Sequence, residues 1–247
     1  MGEVGTEFRA LQLFETFARM KRPLRLSELA AEMNMPVSSC LALVRRLSAA
    51  GHLFEPMEKR AYYPTGKLRR WTNIVADNDP IMHRVSSLFE NLRDRCTETV
   101  TLSKLSGASI IYLAAVESRH AIRMAARVGA LRPAHAVAAG KALLSALTSE
   151  ERAALLGKEP LQRLTANTHT RLASLEADLQ VGEDRGFFTS REESIDGAMA
   201  IAMPITMADQ DYAIQIAGPT ARIEANLHTI IESLKEAVVC LAHPPEG

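Results

Sequence analysis

Two pairs of adjacent cations, Arg45-Arg46 and Lys59-Arg60, stand on either side of a glycine, with the hydroxyls of Ser38 and Ser39 just upstream. Such groups are the usual donors to phosphate oxygens, so this segment is a candidate for contact with a polyanion. Arg132 carries a planar fork suited to a carboxylate; it either faces inward or is an ordinary loop residue. His135 and His169 could share a metal, but their spacing supports no ligand motif, and a hydrogen-bonded structural histidine is the simpler reading. Catalysis needs a nucleophile or base held by a partner. Ser145, Ser149 and Cys96 lie in contexts that show none, and no G-x-S-x-G, H-E-x-x-H or paired acidic motif is present. Gly140-Lys141-Ala142 lacks the upstream glycines of a phosphate loop. The expectation is a protein that binds rather than transforms, without enzymatic activity, cofactor or metal.

Composition agrees with a folded chain of more than one module. The 247 residues are 47% hydrophobic and 23% charged, with zero formal net charge. The zero hides an asymmetry. Residues 1–77 hold 12 Lys and Arg against 8 Asp and Glu, a balance of +4, and the remainder carries −4. Three scattered cysteines, Cys40, Cys96 and Cys240, suggest neither a disulfide framework nor a metal knuckle. No apolar run approaches the ~20 residues of a membrane span, and the first residues do not read as a signal peptide. The expected location is the cytoplasm.

The elements that must position these residues can be read from periodicity. Glu7 to Met20 has helical spacing; a short helix with Ser27 as N-cap follows, then a third from Val37 to Ala50 with Gly51 ending it. His52 to Glu55 and Ala61 to Pro64 read as two short strands. Three helices and a small hairpin are the order of a winged helix-turn-helix, in which the third helix enters the major groove. Its leading side chains are Val37, Ser38, Ser39, Leu41 and Ala42; Arg45, Arg46, Lys59 and Arg60 would hold the backbone.

A helix over Gly66 to Ala76 leads to Asp79-Pro80, the cap of a helix reaching Cys96. Strands are predicted at Thr99 to Leu105, Ile110 to Val116, Ala121 to Val128, Phe187 to Arg191, Ala198 to Thr206 and Tyr212 to Ala217. Gly129 to Ala139 reads as a loop. Helices are expected at Ala139 to Leu147, Ser149 to Leu156 and Arg171 to Arg185, with one closing helix from Ile223 to Leu241. The fold class is α+β.

Four segments then resemble the IclR family of bacterial transcription regulators: SELAAEMNMPVSSCLALVRRLSAAGHL, IRMAARVGALRPAHAVAAGKALLSAL, DRGFFTSREESIDGAMAIAMPI and YAIQIAGPTARI. The resemblance implies a winged helix-turn-helix over residues 1–65 and a linker helix over 66–79. It implies a GAF-like antiparallel-sheet domain over 80–247 that binds an effector and oligomerises. The implied partners are a double-stranded DNA operator, a small organic acid and further copies of the chain, as a homodimer or dimer of dimers, with no membrane. The chain departs from the family where Lys is common at 37 and a His-Arg pair at 41 and 42. Its affinity is therefore expected to lean on Arg45, Arg46, the wing and dimerisation.

Carried over by segment, the effector positions are Met124, Arg132, Ala138, Ala139, Ser190, Ala200, Gln215 and Ala217. Ser190 replaces a common Asp, Ala200 a common Cys or Ser, and Gln215 and Ala217 two common Ser residues. Fewer polar anchors suggest a bulky or aromatic carboxylate. The rival readings are a DNA-binding protein whose second module only oligomerises and, further off, an enzyme.

Overall fold

A computed structural model describes residues 6–56 and 61–242. The chain divides into two compact units, Met1–Asp79 and Pro80–Gly247. In the first, helix α1 (Thr6–Met20) precedes strand β1 (Leu24–Arg25), helices α2 (Leu26–Glu32) and α3 (Val37–Ala49), strands β2 (Leu53–Phe54) and β3 (Ala61–Pro64), and helix α4 (Lys67–Asp77). The apolar stripes of the helices meet in one core: Leu13 and Phe17 of α1, Leu29 and Ala30 of α2, Cys40 and Val44 of α3, with Leu24 and Leu53 from the strands.

Ser27 is not the cap of α2. Leu24 and Arg25 pair with Tyr62 and Ala61 of β3, so the chain passes directly from strand into helix and Arg25 takes the cap position. The Glu28 carboxylate accepts the Arg25 backbone N–H at 2.7 Å, satisfying one of the donors that every helix start leaves open. Gly51, at φ +74°, turns the chain out of α3, with His52 N–H donating back to Leu47 O at 2.8 Å. The order β1-β3-β2 completes the wing. Lys67 Nζ donates to Ala50 O at 2.8 Å, a cation at the carbonyl end of α3, and the Trp71 ring sits edge-on to His52 at 4.7 Å.

The second unit begins with α5 (Pro80–Cys96), then the hairpin β4 (Thr99–Ser106) and β5 (Ser109–Val116). The short strand β6 (Leu131–Pro133) runs into a 3-10 turn at Ala134–Ala136, followed by α6 (Ala138–Leu144), α7 (Ser149–Leu156) and α8 (Leu172–Arg185). Strands β7 (Phe188–Arg191), β8 (Ala198–Met207) and β9 (Gln210–Pro219), and helices α9 (Thr220–Ala225) and α10 (Leu227–Ala242), close the unit. The strands form one antiparallel sheet in the order β6-β5-β4-β9-β8-β7.

The sheet is covered on both faces, and its faces differ. Val100, Leu102, Ile201, Ile214 and Ile216 point toward α5 and α10 in a core of large side chains. On the other face, toward α6 and α8, lie Ala200, Ala202, Ala213 and Ala217. Successive strand residues point to opposite faces, so AMAIA over 198–202 and AIQIA over 213–217 produce this asymmetry from sequence alone. The small face leaves room between sheet and α6.

Three expectations are corrected. Residues 121–128 form no strand: their backbone is pinned by side chains from other segments, Thr99 Oγ1 donating to Met124 O at 2.7 Å and Arg222 to Ile122 O at 2.9 Å. The strand lies instead at Leu131–Pro133, inside the stretch read as a loop, where Ile110 pairs with Arg132. The closing helix is two helices broken at Asn226, whose φ of −111° leaves the helical range. Among the described residues, no helix is long and apolar enough to cross a membrane.

Candidate reading helix and effector cavity

Helix α3 buries Cys40 and Val44 and turns its other side outward. Val37, Ser38, Ala42, Arg45 and Arg46 are exposed, while Ser39 and Leu41 are half-buried. At 3.6 residues per turn, Ser38, Ala42 and Arg46 form one row and Leu41 and Arg45 the adjacent one. Among the described residues neither arginine has an ion-pair partner, so both guanidinium groups can take external anions. Lys59 and Arg60 lie outside the described residues. A short turn at Asn34-Met35, with Asn34 at φ +48°, sets α3 against α2. Pro36 caps α3 with its fixed backbone angle.

In the second unit a recess opens over the small face of the sheet. Six of the eight expected positions line it: Met124, Arg132, Ser190, Ala200, Gln215 and Ala217. The register explains this. Ala217 of β9 lies opposite Ala200 of β8, and Ala200 opposite Ser190 of β7, so one row of small residues crosses the floor. Ala138 and Ala139 do not line the recess. They are fully buried at the start of α6, and Ala139 N–H donates to Gln215 Oε1 at 3.0 Å. Ser190 Oγ donates to Ala136 O at 3.0 Å, tying β7 to the turn before α6.

The lining also includes Thr99, Thr101, Tyr112, Val137, Ser194 and Ile195, which the sequence reading did not single out. TVTLS over 99–103 alternates small polar with large apolar residues, a signal that could have placed Thr99 and Thr101 on the same face as Gln215. Nothing local marks Tyr112, because it reaches the recess from beyond a bulge between Leu102 and Ser103. Burial pushes the Tyr112 phenol up, against the pull of the neighbouring Arg132 and Gln215, and keeps it a neutral donor. Arg132 is exposed at the rim, with no carboxylate within ion-pair distance among the described residues. It thus faces the recess without being buried in it.

Behind the recess, Lys141 of α6 is completely buried and its ammonium is fully used. Nζ lies 2.6 Å from Asp178 Oδ2, 2.6 Å from Glu193 Oε2 and 3.0 Å from Thr189 O. His169, Asp178 and Glu193 are grouped closely enough to hold a cation, but Lys141 Nζ already occupies that charge position. His135 stands apart, its Nε2 2.9 Å from Gln162 O. Burial holds both His135 and His169 below the usual histidine range. Lys141 therefore acts as an internal counter-ion, anchoring the loop after β7 that carries Ser194 and Ile195.

The profile for the IclR helix-turn-helix domain matches residues 8–53, and that for the bacterial transcriptional regulator IclR C-terminal domain matches residues 74–242. The chain belongs to the IclR family. It is a DNA-binding transcription regulator, and its curated relatives are regulators rather than enzymes. The HTH-type transcriptional regulator XynR of Escherichia coli is 25% identical over 237 residues, covering 95% of this chain and 94% of XynR. The crystal structure of the Thermotoga maritima IclR superposes with a TM-score of 0.76 at 24% identity, covering 96% of this chain and 99% of that one. An IclR homologue from Microbacterium hydrocarbonoxydans, solved as a complex with 4-hydroxybenzoate, superposes with a TM-score of 0.76 at 22% identity, covering 95% and 96%. At these identities the two structures show a shared fold.

Proposed function

We propose that this IclR-family regulator is controlled by a bulky or aromatic carboxylate bound in the recess over β4, β9 and β8. The observation that carries the reading is the pairing of an alanine-rich floor with the Arg132 guanidinium at the rim, which has no ion-pair partner among the described residues. Alanines at 200 and 217 give the recess an apolar floor, and a planar fork at its edge suits a carboxylate. The 4-hydroxybenzoate complex of the Microbacterium homologue lends support by likeness of fold.

On this reading α3 is the reading helix. Ser38, Ser39 and Val37 meet base edges, Leu41 and Ala42 pack against the groove, and Arg45 and Arg46 hold phosphates, with Lys59 and Arg60 of the wing doing the same. The protein acts as a homodimer, alone or paired into a dimer of dimers. Support comes from apolar side chains left exposed on two helices of the first unit: Phe8 and Leu11 of α1, and Trp71, Ile74 and Val75 of α4. A dimer reads half-sites by their spacing, and α4 ends in sequence where the effector unit begins, so it is the connection through which ligand binding alters that spacing. Such a protein works in the cytoplasm.

Thermal unfolding against a panel of carboxylates tests the ligand class. A ligand at about 100 times its Kd adds roughly 2.7 kcal/mol to the stability of the domain that binds it. Shifts with aromatic acids are expected; shifts with two- or three-carbon acids alone would contradict the proposal.

A further inference from the structure

One polar group in the wall of the recess is left unused by the fold. Thr101 lines the recess and is 1% exposed, and its buried Oγ1 has no hydrogen-bond partner among the described residues. Its polar neighbours are engaged. The Thr99 hydroxyl donates to Met124 O at 2.7 Å and accepts Ser118 N–H at 3.1 Å. Ser190 Oγ is bonded to Ala136 O, and Gln215 Oε1 to Ala139 N–H. Ser103, next along the same strand face, also lacks a partner but does not line the recess.

A buried hydroxyl without a partner is costly to keep, and most such groups in folded proteins are satisfied. Thr101 lies directly opposite Gln215 in the β4–β9 ladder. Gln215 and Arg132 both border Tyr112. The wall therefore runs from a guanidinium at the rim, past a phenol and an amide, to an unpaired hydroxyl on the floor. A ligand with a single polar end would leave Thr101 as it stands.

We infer that the ligand is a carboxylate bearing a second hydrogen-bonding group, a hydroxyl or an oxo oxygen on its body, and that Thr101 Oγ1 receives that group and sets specificity for it. This rests on the reading of the recess as a carboxylate site. Thr101→Val keeps the β-branched shape that suits the strand and removes only the hydrogen-bonding capacity.

The test is calorimetric titration of the full chain with benzoate and with ortho-, meta- and para-hydroxybenzoate. At least one hydroxybenzoate should bind about tenfold more tightly than benzoate, as expected for one buried hydrogen bond. Thr101→Val should remove that preference while leaving benzoate affinity unchanged, and Thr101→Ser should retain it. A preference that survives in Thr101→Val, or benzoate binding as tightly as every hydroxybenzoate, would overturn the inference alone. Binding of none of these acids would overturn the carboxylate reading and this inference with it.

Discussion

Gln215 Oε1 accepts the backbone N–H of Ala139 at 3.0 Å, bridging a central strand of the second unit's sheet to the first turn of the helix above it. The same amide also bonds the Tyr112 phenol in the wall of the recess. Gln215→Glu keeps an acceptor for Ala139 but places a carboxylate beside any acidic ligand. We expect near-normal stability with loss of carboxylate binding. Gln215→Leu instead leaves a buried N–H unpaired and should cost about 1–3 kcal/mol in urea unfolding. Equal effects of the two changes on stability would argue against this division of roles.

Arg46 and Arg45 project from α3 without ion-pair partners among the described residues. If each contacts one phosphate, Arg46→Ala should weaken DNA binding about equally for all sequences and flatten the slope of log K against log salt by roughly one. Fluorescence anisotropy over a salt series measures both. A changed base preference with an unchanged salt slope would move Arg46 from backbone contact to base contact.

Gly140 is required by close packing rather than by chain flexibility. A Cβ there would lie 2.0 Å from the carbonyl oxygen of Ala134, which belongs to the turn leading into α6. Because the obstacle is backbone, the turn and helix must separate. Gly140→Ala should lower stability by about 1–3 kcal/mol or more and weaken ligand binding, since Val137 and Arg132 flank the same turn.

Stability should depend on acid through buried His135 and half-buried His169. His135 is held below its ordinary 6.5 chiefly by burial, and His169 likewise, first by burial and then by the Lys141 ammonium. An unfolded chain binds protons near pH 6.5 that the folded chain accepts only at lower pH. Their contribution is therefore intact above 6.5 and is lost as pH falls through the lowered folded values. Glu193 acts in the opposite sense. Burial raises it above 4.5, so its contribution is present below 4.5 and is lost as pH rises through the raised value. Urea unfolding from roughly pH 7 to 5.5 should show falling stability, and His135→Gln should reduce that fall. A flat profile in the wild type would contradict the assignment of buried His135 and half-buried His169 as neutral.

Much of the fold was legible because local patterns and final contacts agreed. The α8 stripe with Leu175 and Leu179, and the β8–β9 hairpin around Ala208-Asp209, lie where periodicity placed them. The strand expected at 121–128 failed for a physical reason. IRMAARV alternates like a strand, but Thr99, Glu117 and Arg222 hold its backbone, and Arg222 is 100 residues from its partner Ile122. Likewise Lys141, read only as a failed phosphate loop, meets Asp178 and Glu193 across 37 and 52 residues. Small-large alternation marks a face with space beside it, yet which helix roofs that space, and that Tyr112 reaches into it, depends on long-range packing. The positions carried over by segment fell on the recess where strand register fixed them, and behind it at Ala138 and Ala139, where the helix turned them inward.

On the proposed function, an acid bound in the second unit controls DNA binding by the first. The most direct test of this control is to select double-stranded DNA from a random pool with the full-length protein. The Kd for the enriched sequence is then measured with and without a saturating aromatic carboxylate that stabilises the protein. The Kd should change by about fivefold or more, the low end of allosteric coupling, and Arg132→Ala should abolish the change while leaving ligand-free DNA binding intact. An acid that binds tightly and leaves the DNA affinity unchanged would contradict this control.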